Sequence, residues 1–223
     1  MAICRCRTRY WMDVMTTMTQ TAPFWDRLAE RYAAQPVKDQ DSYEKTLNRV
    51  RAHLTPQDNV LEIGCGTGST ALTLSTAAGH IHATDISSGM IEIANRKAAA
   101  AGITNVTFGQ AEADEQQAPG TYDAVMAFNL LHLLRDPAET ARLAREALRP
   151  GGLFISKTPC LGGKKWLYGP IIGAMRLIGK APFVNMLRVK ELEDMITDAG
   201  FEIVETGTFP ANPPCRFVVA RKL

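Results

Sequence analysis

The stretch Asn59–Gly79, NVLEIGCGTGSTALTLSTAAG, decides the fold. An apolar run passes into three alternating glycines, Gly64, Gly66 and Gly68, and then into an Ala/Leu-rich segment, which reads as a strand, a tight turn and a helix. Glycine lacks a β-carbon, so the turn can bring backbone amides within contact distance of a ligand. A phosphate is the first ligand to consider. The Walker pattern needs Gly-Lys-Ser/Thr, but Gly68 is followed by Ser69 and Thr70, and the dinucleotide fingerprint needs a glycine where Ser69 stands. Glu62 weakens both phosphate readings further, because a carboxylate beside the turn repels pyrophosphate and suits a ligand carrying an ammonium group.

Outward from this junction the pattern is regular. The spacing predicts a helix over Ser69–Ala78, a strand in IHAT, a helix over Ser87–Ala101, a short strand at Val106 and Phe108, a strand in YDAVMAF, a helix over Pro137–Leu148 and a strand in GLFISKT. Strands alternating with helices of this length specify βαβ units and a mostly parallel sheet. After an insert come the helix VKELEDMITDAG and the strands FEIVET and RFVVARK, whose connection GTFPANPP is too short for a crossover helix. They are expected to form a hairpin with an antiparallel strand at the sheet edge. Before the first strand, helices are expected over Phe24–Ala34 and Ser42–His53. The fold class is α/β: a doubly wound, mostly parallel seven-stranded sheet with an antiparallel terminal hairpin, a helical N-terminal cap and an insert after strand 5.

Two further carboxylates define the ligand. Asp85 ends an otherwise apolar strand 23 residues after Glu62, where an acid can accept both ribose hydroxyls of an adenosyl ligand. Glu112, in FGQAEADE, lies within reach of an adenine amine or is a solvated loop acid.

At 223 residues the chain holds one domain of ordinary size, read here as residues 21–223, with 21–56 as the cap and 159–187 as a lid-like insert. The net charge of +2 comes from the first twenty residues, where Arg5, Arg7 and Arg9 face Asp13, and residues 1–20 read as a flexible tail. This makes a nucleic-acid partner unlikely, since backbone binding needs a concentrated basic surface. The five cysteines, Cys4, Cys6, Cys65, Cys160 and Cys215, are odd in number and scattered, as in a reduced, cytoplasmic protein, and no metal site is expected. No run of eighteen apolar residues predicts a membrane span.

With these residues in view, the sequence resembles the class I S-adenosylmethionine-dependent methyltransferases, in particular the small-molecule branch with the quinone and menaquinone C-methyltransferases. The resemblance rests on VLEIGCGTG, TDIS, YDAVMAFNLLHLL and LRPGGLFISK and covers about Val60 to Lys157. It implies a Rossmann-like sheet, S-adenosyl-L-methionine as cofactor and transfer of its methyl group to a small acceptor. It also implies that Gly64, Cys65, Gly66 and Gly68 form the cofactor turn, that Glu62 helps hold the methionine part and Asp85 the ribose, and that Ile86 and Met90 flank adenine. Glu112 stands where the family more often has aspartate, so Ala113 is an alternative backbone contact.

The activated methyl group needs alignment more than it needs a base. The acceptor, whether an O, C, N or S nucleophile, is accordingly less legible than the cofactor. His132 either orients or deprotonates the acceptor, or opens a buried helix in NLLHLL. Asn129 is expected to line the cofactor cavity, and Tyr32 and Tyr43 in the cap either touch the acceptor or pack with wet hydroxyls. NPP at Asn212–Pro214 and TPC at Thr158–Cys160 resemble nucleic-acid methyltransferase motifs but stand in the wrong places. The insert LGGKKWLYGPIIGAMRLIGKAPFVNMLR, Leu161–Arg188, carries enough Gly and Pro to predict short helical pieces joined by bends. Its greasy and basic residues fit a lid over a hydrophobic acceptor or transient membrane contact. Three alternatives stay open: a lipid or phospholipid amine N-methyltransferase, a non-catalytic adenosylmethionine-binding regulator, and a dehydrogenase. Oligomeric state is not specified by any of these residues.

Overall fold

The computed structural model describes residues 21–178 and 181–223. The expected tail, residues 1–20 with Cys4 and Cys6, lies outside the described residues. In chain order the elements are α1 (Thr21–Ala33), α2 (Gln40–Arg51), β1 (Asn59–Ile63), α3 (Ser69–Leu74), β2 (His80–Asp85), α4 (Ser88–Ala101), β3 (Val106–Gln110) and β4 (Tyr122–Phe128). They continue with α5 (Pro137–Ala147), β5 (Leu148–Pro159), α6 (Lys165–Leu177), α7 (Val189–Asp198), β6 (Phe201–Ala211) and β7 (Pro214–Lys222).

The seven strands lie in the order β3-β2-β1-β4-β5-β7-β6. Strands β1 to β5 are mutually parallel, and β7 runs antiparallel to both of its neighbours. The hairpin is therefore as expected, but its antiparallel strand sits one place in from the edge, with β6 outside it. β1 is an interior strand beside the central β4, and Val60, Leu61, Glu62 and Ile63 are all buried, the continuous pattern of a parallel strand covered on both faces. One apolar cluster on each face fills the space between sheet and helices: Phe154, Phe201 and Leu192 belong to one, Met126, Phe217 and Leu74 to the other.

Local chemistry sets the helix ends. Ser87 Oγ accepts the Met90 amide at the start of α4, and Gly102 closes that helix in the left-handed region. Asp136 accepts the Glu139 amide, with Pro137 in the first turn of α5. α3 is shorter than the spacing predicts: after Leu74 the chain tightens into one 3-10 turn over Ser75–Ala77, where Ser75 Oγ donates to the Leu72 carbonyl.

The two N-terminal helices pack on different neighbours: α1 on α4, and α2 on α3 and β6, tied to β6 by Arg49 and His53, both on Glu205. One other expectation changes. The insert is not a string of short pieces: Gly169, Pro170 and Gly173 all lie inside the thirteen-residue α6. Pro170 withholds an amide from the Trp166 carbonyl, but Trp166 is 79% exposed, so water can take that bond and the helix continues.

Candidate active site

Between β1 and β4 the strand order reverses direction, and the carboxyl ends of the two strands open a crevice there, the place where open α/β sheets bind ligands. The glycine turn forms its floor. All three glycines have positive φ, at 70°, 55° and 73° for Gly64, Gly66 and Gly68. A β-carbon on Gly68 would fall 2.6 Å from Phe108 and 2.8 Å from Ala94, so this position closes the turn against α4 and β3. A β-carbon on Gly66 would meet, among the described residues, nothing nearer than a Tyr32 ring carbon at 3.9 Å, so a ligand can approach the backbone there. Cys65 serves through its backbone: its amide donates to the Thr84 carbonyl at 2.9 Å. Its thiol is buried, and desolvation pushes its pKa far above the ordinary range, so it is not a reactive group.

Asp85 joins the turn to β2. Its Oδ2 accepts the Gly66 amide and its Oδ1 the Ser87 amide, both at 2.9 Å, leaving lone pairs on each oxygen for a ligand hydroxyl. Burial, only partly offset by these two bonds, holds the carboxyl pKa above its usual value. Beyond it, a cavity of about 430 Å³ is lined by Ile86, Glu112, Gln110, Ala111 and Asp26. The Gln110 amide donates to the Ile86 carbonyl at 3.0 Å and shapes one wall. Met90 does not line this cavity; it is 2% exposed and packs with Ala29 and Ile93 between α4 and α1. Ala113 packs against the core cluster of the α5/α7 face. Partial burial, then Asp114 and Glu115, raise the Glu112 pKa.

Glu62 is 2% exposed, and its Oε2 has no hydrogen-bond partner. Desolvation and the nearby Asp85 charge push its pKa up to about 8, against a lowering contribution from the Ala71 amide. A buried acid with an orphan oxygen beside a second acid is costly unless a cation joins them.

Of the residues expected to meet an acceptor, Tyr32 stands half-exposed above the turn. Partial burial, Asp85 and then Tyr43 raise its phenol pKa. Tyr43 packs against the core cluster of the α2/α3 face. Asn129 takes a left-handed φ of 53° directly after β4, and its amide donates to the Lys157 carbonyl at 2.8 Å. His132 lies in a 3-10 turn, Leu131–Leu133, rather than in a long helix. Its Nδ1 is buried without a partner, burial lowers its pKa to about 4, and its carbonyl accepts the Asn185 amide of the insert at 2.6 Å.

Three contributors escape a reading of the sequence. Asp26 of α1 accepts from Ser87 Oγ at 2.6 Å and the Gly89 amide at 3.0 Å, fastening the cap beside the cavity. Lys97 of α4 donates from Nζ to the Thr67 carbonyl, Thr67 Oγ1 and Ser69 Oγ at 3.2, 2.9 and 3.0 Å, fastening the turn from behind. Lys157, 9% exposed at the end of β5, donates to Thr46 Oγ1 at 2.9 Å and fastens α2. Asp26 and Lys97 belong to no motif, and although Lys157 ends LRPGGLFISK, its partner on α2 is not encoded there; each role becomes visible only once α1, α4 and α2 are packed.

The site therefore fits a cationic adenosyl ligand: an orphan buried carboxylate oxygen, an unobstructed approach to the Gly66 α-carbon and a carboxylate with free lone pairs share one crevice.

Comparison with known proteins agrees. Residues 61–154 match the family described as a methyltransferase domain. The chain is 28% identical over 197 residues to a ubiquinone biosynthesis O-methyltransferase of Paraburkholderia xenovorans, covering 85% of this chain and 82% of that one. It is 30% identical over 174 residues to the highly reducing polyketide synthase sthA of Phaeosphaeria nodorum, covering 71% of this chain but only 6% of the synthase. The structure of geranyl diphosphate C-methyltransferase from Streptomyces coelicolor superposes with a TM-score of 0.68 at 12% identity, over 81% of this chain and 79% of that one, a likeness of fold.

Proposed function

This chain is a class I S-adenosylmethionine-dependent methyltransferase, and we propose that it methylates a small, hydrophobic acceptor through an oxygen nucleophile. The observation that carries the cofactor half is Glu62, whose buried orphan oxygen stands beside Asp85 at the glycine turn. Glu62 and the open Gly66 backbone would hold the methionine portion, Asp85 the ribose, and Ile86 with Glu112 the adenine. S-adenosylmethionine supplies a methyl group already activated on a sulfonium.

The remaining work falls to the chain. Tyr32 would shield the turn from bulk water, and Tyr43 and Phe128, each packed against the core cluster of the α2/α3 face, would offer the acceptor apolar surface. His132 is a neutral imidazole at physiological pH, because burial opposes its protonation. It orients an acceptor hydroxyl through a hydrogen bond and is too weak a base to remove that proton unaided. An oxygen nucleophile is favoured by this group and by the kinship to ubiquinone biosynthesis O-methyltransferases. Amine acceptors, lipid amines included, lack a comparable observation.

The test is methyl transfer from labelled S-adenosylmethionine across quinols, phenols, carbon acids, amines, thiols and lipid amines. Labelled product from phenols or quinols is the expected result. Product confined to amines would overturn the acceptor assignment, and no product with any class despite cofactor binding would favour a regulatory protein.

A further inference from the structure

Lys157 is a buried cation that, among the described residues, joins no ion pair. It stands at the carboxyl end of β5, opposite Phe128 of β4 in the sheet register, and its carbonyl accepts the Asn129 amide. This is the edge on which the crevice opens, one strand along from β4. Its Nζ donates to Thr46 Oγ1 at 2.9 Å and to the Ser42 carbonyl at 3.4 Å, both neutral oxygens of α2. Asp39, at the start of α2, acts on the ammonium only through space and already accepts the Ser42 amide.

The neighbouring surface is aromatic. Nζ lies 5.7 Å from the centre of the Phe209 ring, which folds back along β6 so closely that a β-carbon on Gly207 would collide with it. The ring attracts a cation but does not neutralise it. An ammonium has three donors, and one N–H is left without an oxygen partner among these residues. Fastening α2 would not require a charge: a neutral donor reaching Thr46 would do so with a smaller desolvation cost. A buried charge of this kind calls for a counter-charge.

The acceptor can supply it. Tyr43 follows Ser42 on α2 and acts on Tyr32, which stands over Gly66, so the turn of α2 that meets Lys157 also reaches toward the cofactor. His132, whose pKa burial lowers to about 4, is too weak a base to ionise an acceptor hydroxyl. A cation within hydrogen-bonding reach needs no base, because an adjacent opposite charge lowers an acid's pKa by about 1–3 units. That brings a phenol, with a pKa of about 10, toward ionisation near neutrality. It leaves an aliphatic alcohol, close to bulk water at about 15.7, un-ionised.

We propose that Lys157 receives the acceptor oxygen as an oxyanion, so that the chain methylates acidic hydroxyls, phenols and quinols, rather than alcohols. This rests on the oxygen-nucleophile reading above. The hydroxyl proton passes to solvent as the acceptor binds, the oxygen keeps both electrons of the O–H bond, and Lys157 stays protonated. That electron pair then forms the O–CH3 bond as the C–S bond breaks and its pair passes to sulfur.

The experiment is titration of 4-nitrophenol, whose ionised form absorbs visible light, into the full chain saturated with S-adenosylhomocysteine and buffered about one unit below the probe's own pKa. Binding is expected to ionise the probe, with its pKa lowered by about 1–3 units. Lys157→Met should abolish that shift, whereas Thr46→Val, which removes the α2 anchor and keeps the ammonium, should preserve it. In turnover, Lys157→Met should slow weakly acidic phenols about ten-fold or more and the most acidic phenols least. Unchanged S-adenosylhomocysteine binding verifies folding, and if Lys157→Met does not fold, the wild-type spectrum and Thr46→Val decide. The proposal is overturned by a probe that binds un-ionised or does not bind, by loss of the shift in Thr46→Val, or by equal slowing of all phenols, the mark of a merely structural lysine. A Lys157-dependent shift in a chain that methylates no phenol or quinol would uphold the oxyanion site and refute the oxygen nucleophile instead.

Discussion

The Gly66 amide donates to Asp85 Oδ2 at 2.9 Å, so the glycine turn after β1 and the acid at the end of β2 are one unit before any ligand arrives. The second oxygen of Asp85 holds the Ser87 amide, whose own residue caps α4. Asp85→Ala should consequently cost folding stability as well as cofactor affinity. Each lost bond to this charged acceptor is worth about 1.5–3 kcal/mol, reduced where water replaces it. Denaturant unfolding of the free protein checks the first effect and calorimetric titration the second; unchanged stability would show that the turn does not rely on Asp85.

Glu62 makes stability and cofactor binding respond to pH in opposite senses. Its folded pKa, about 8, lies above the ordinary carboxylate value, so the native state retains a proton that the unfolded state releases. Its contribution is full below about pH 4.5 and is lost as pH rises toward 8, with a slope approaching roughly 1.4 kcal/mol per unit. Glu62→Gln should flatten this part of the stability profile. A cationic ligand draws out the same proton, so S-adenosylmethionine binding near pH 7 should release protons and tighten as pH approaches 8. Calorimetry in buffers of different ionisation enthalpy measures that release directly.

Lys97 is expected to act on binding rather than chemistry. Its three bonds to Thr67 and Ser69 end in neutral oxygens, and Lys97→Met would leave the turn to find other donors. Loss of one or two such bonds, at about 1 kcal/mol each, predicts a five- to thirty-fold weaker cofactor affinity. Turnover at saturating cofactor should stay within about two-fold. A fall in kcat without a change in affinity would contradict this assignment.

His132→Gln is predicted to reduce methyl transfer roughly 10²-fold while leaving cofactor affinity unchanged. Because burial depresses the His132 pKa to about 4, the wild-type rate should show no inflection from this group between pH 6 and 8. A histidine-like inflection near pH 6.5 that vanishes in the variant would show instead that His132 is solvated and titrates as an ordinary imidazole.

The order of strands and helices from Asn59 to Lys157 was legible because buried parallel strands and amphipathic helices leave strong periodic patterns. Glu62, the glycines and Asp85 were legible for a related reason: a backbone-built turn needs particular residues at fixed spacing, and the structure brings these together. Asp26 and Lys97 were not, since a side chain that reaches another element leaves no local signature. Met90 lies where α1 covers it, and the packing of α1 on α4 is not written in either helix alone. The continuity of α6 was hidden because Gly and Pro disfavour helix in isolation, whereas the backbone carbonyl released by Pro170 costs little beside water. The position of β7 inside β6 depends on which hairpin strand finds the open edge of β5, a choice made by pairing rather than by composition.

The most direct measurement is a calorimetric comparison of S-adenosylmethionine, S-adenosylhomocysteine and NADH binding to the wild-type chain and to Glu62→Gln. The account predicts that both adenosyl ligands bind and NADH does not. It also predicts that replacing the buried acid by a neutral isostere weakens S-adenosylmethionine by at least about ten-fold, since a charge-assisted contact is lost. Equal affinity of wild type and Glu62→Gln for S-adenosylmethionine, or binding of NADH as tight as that of the adenosyl ligands, would contradict it.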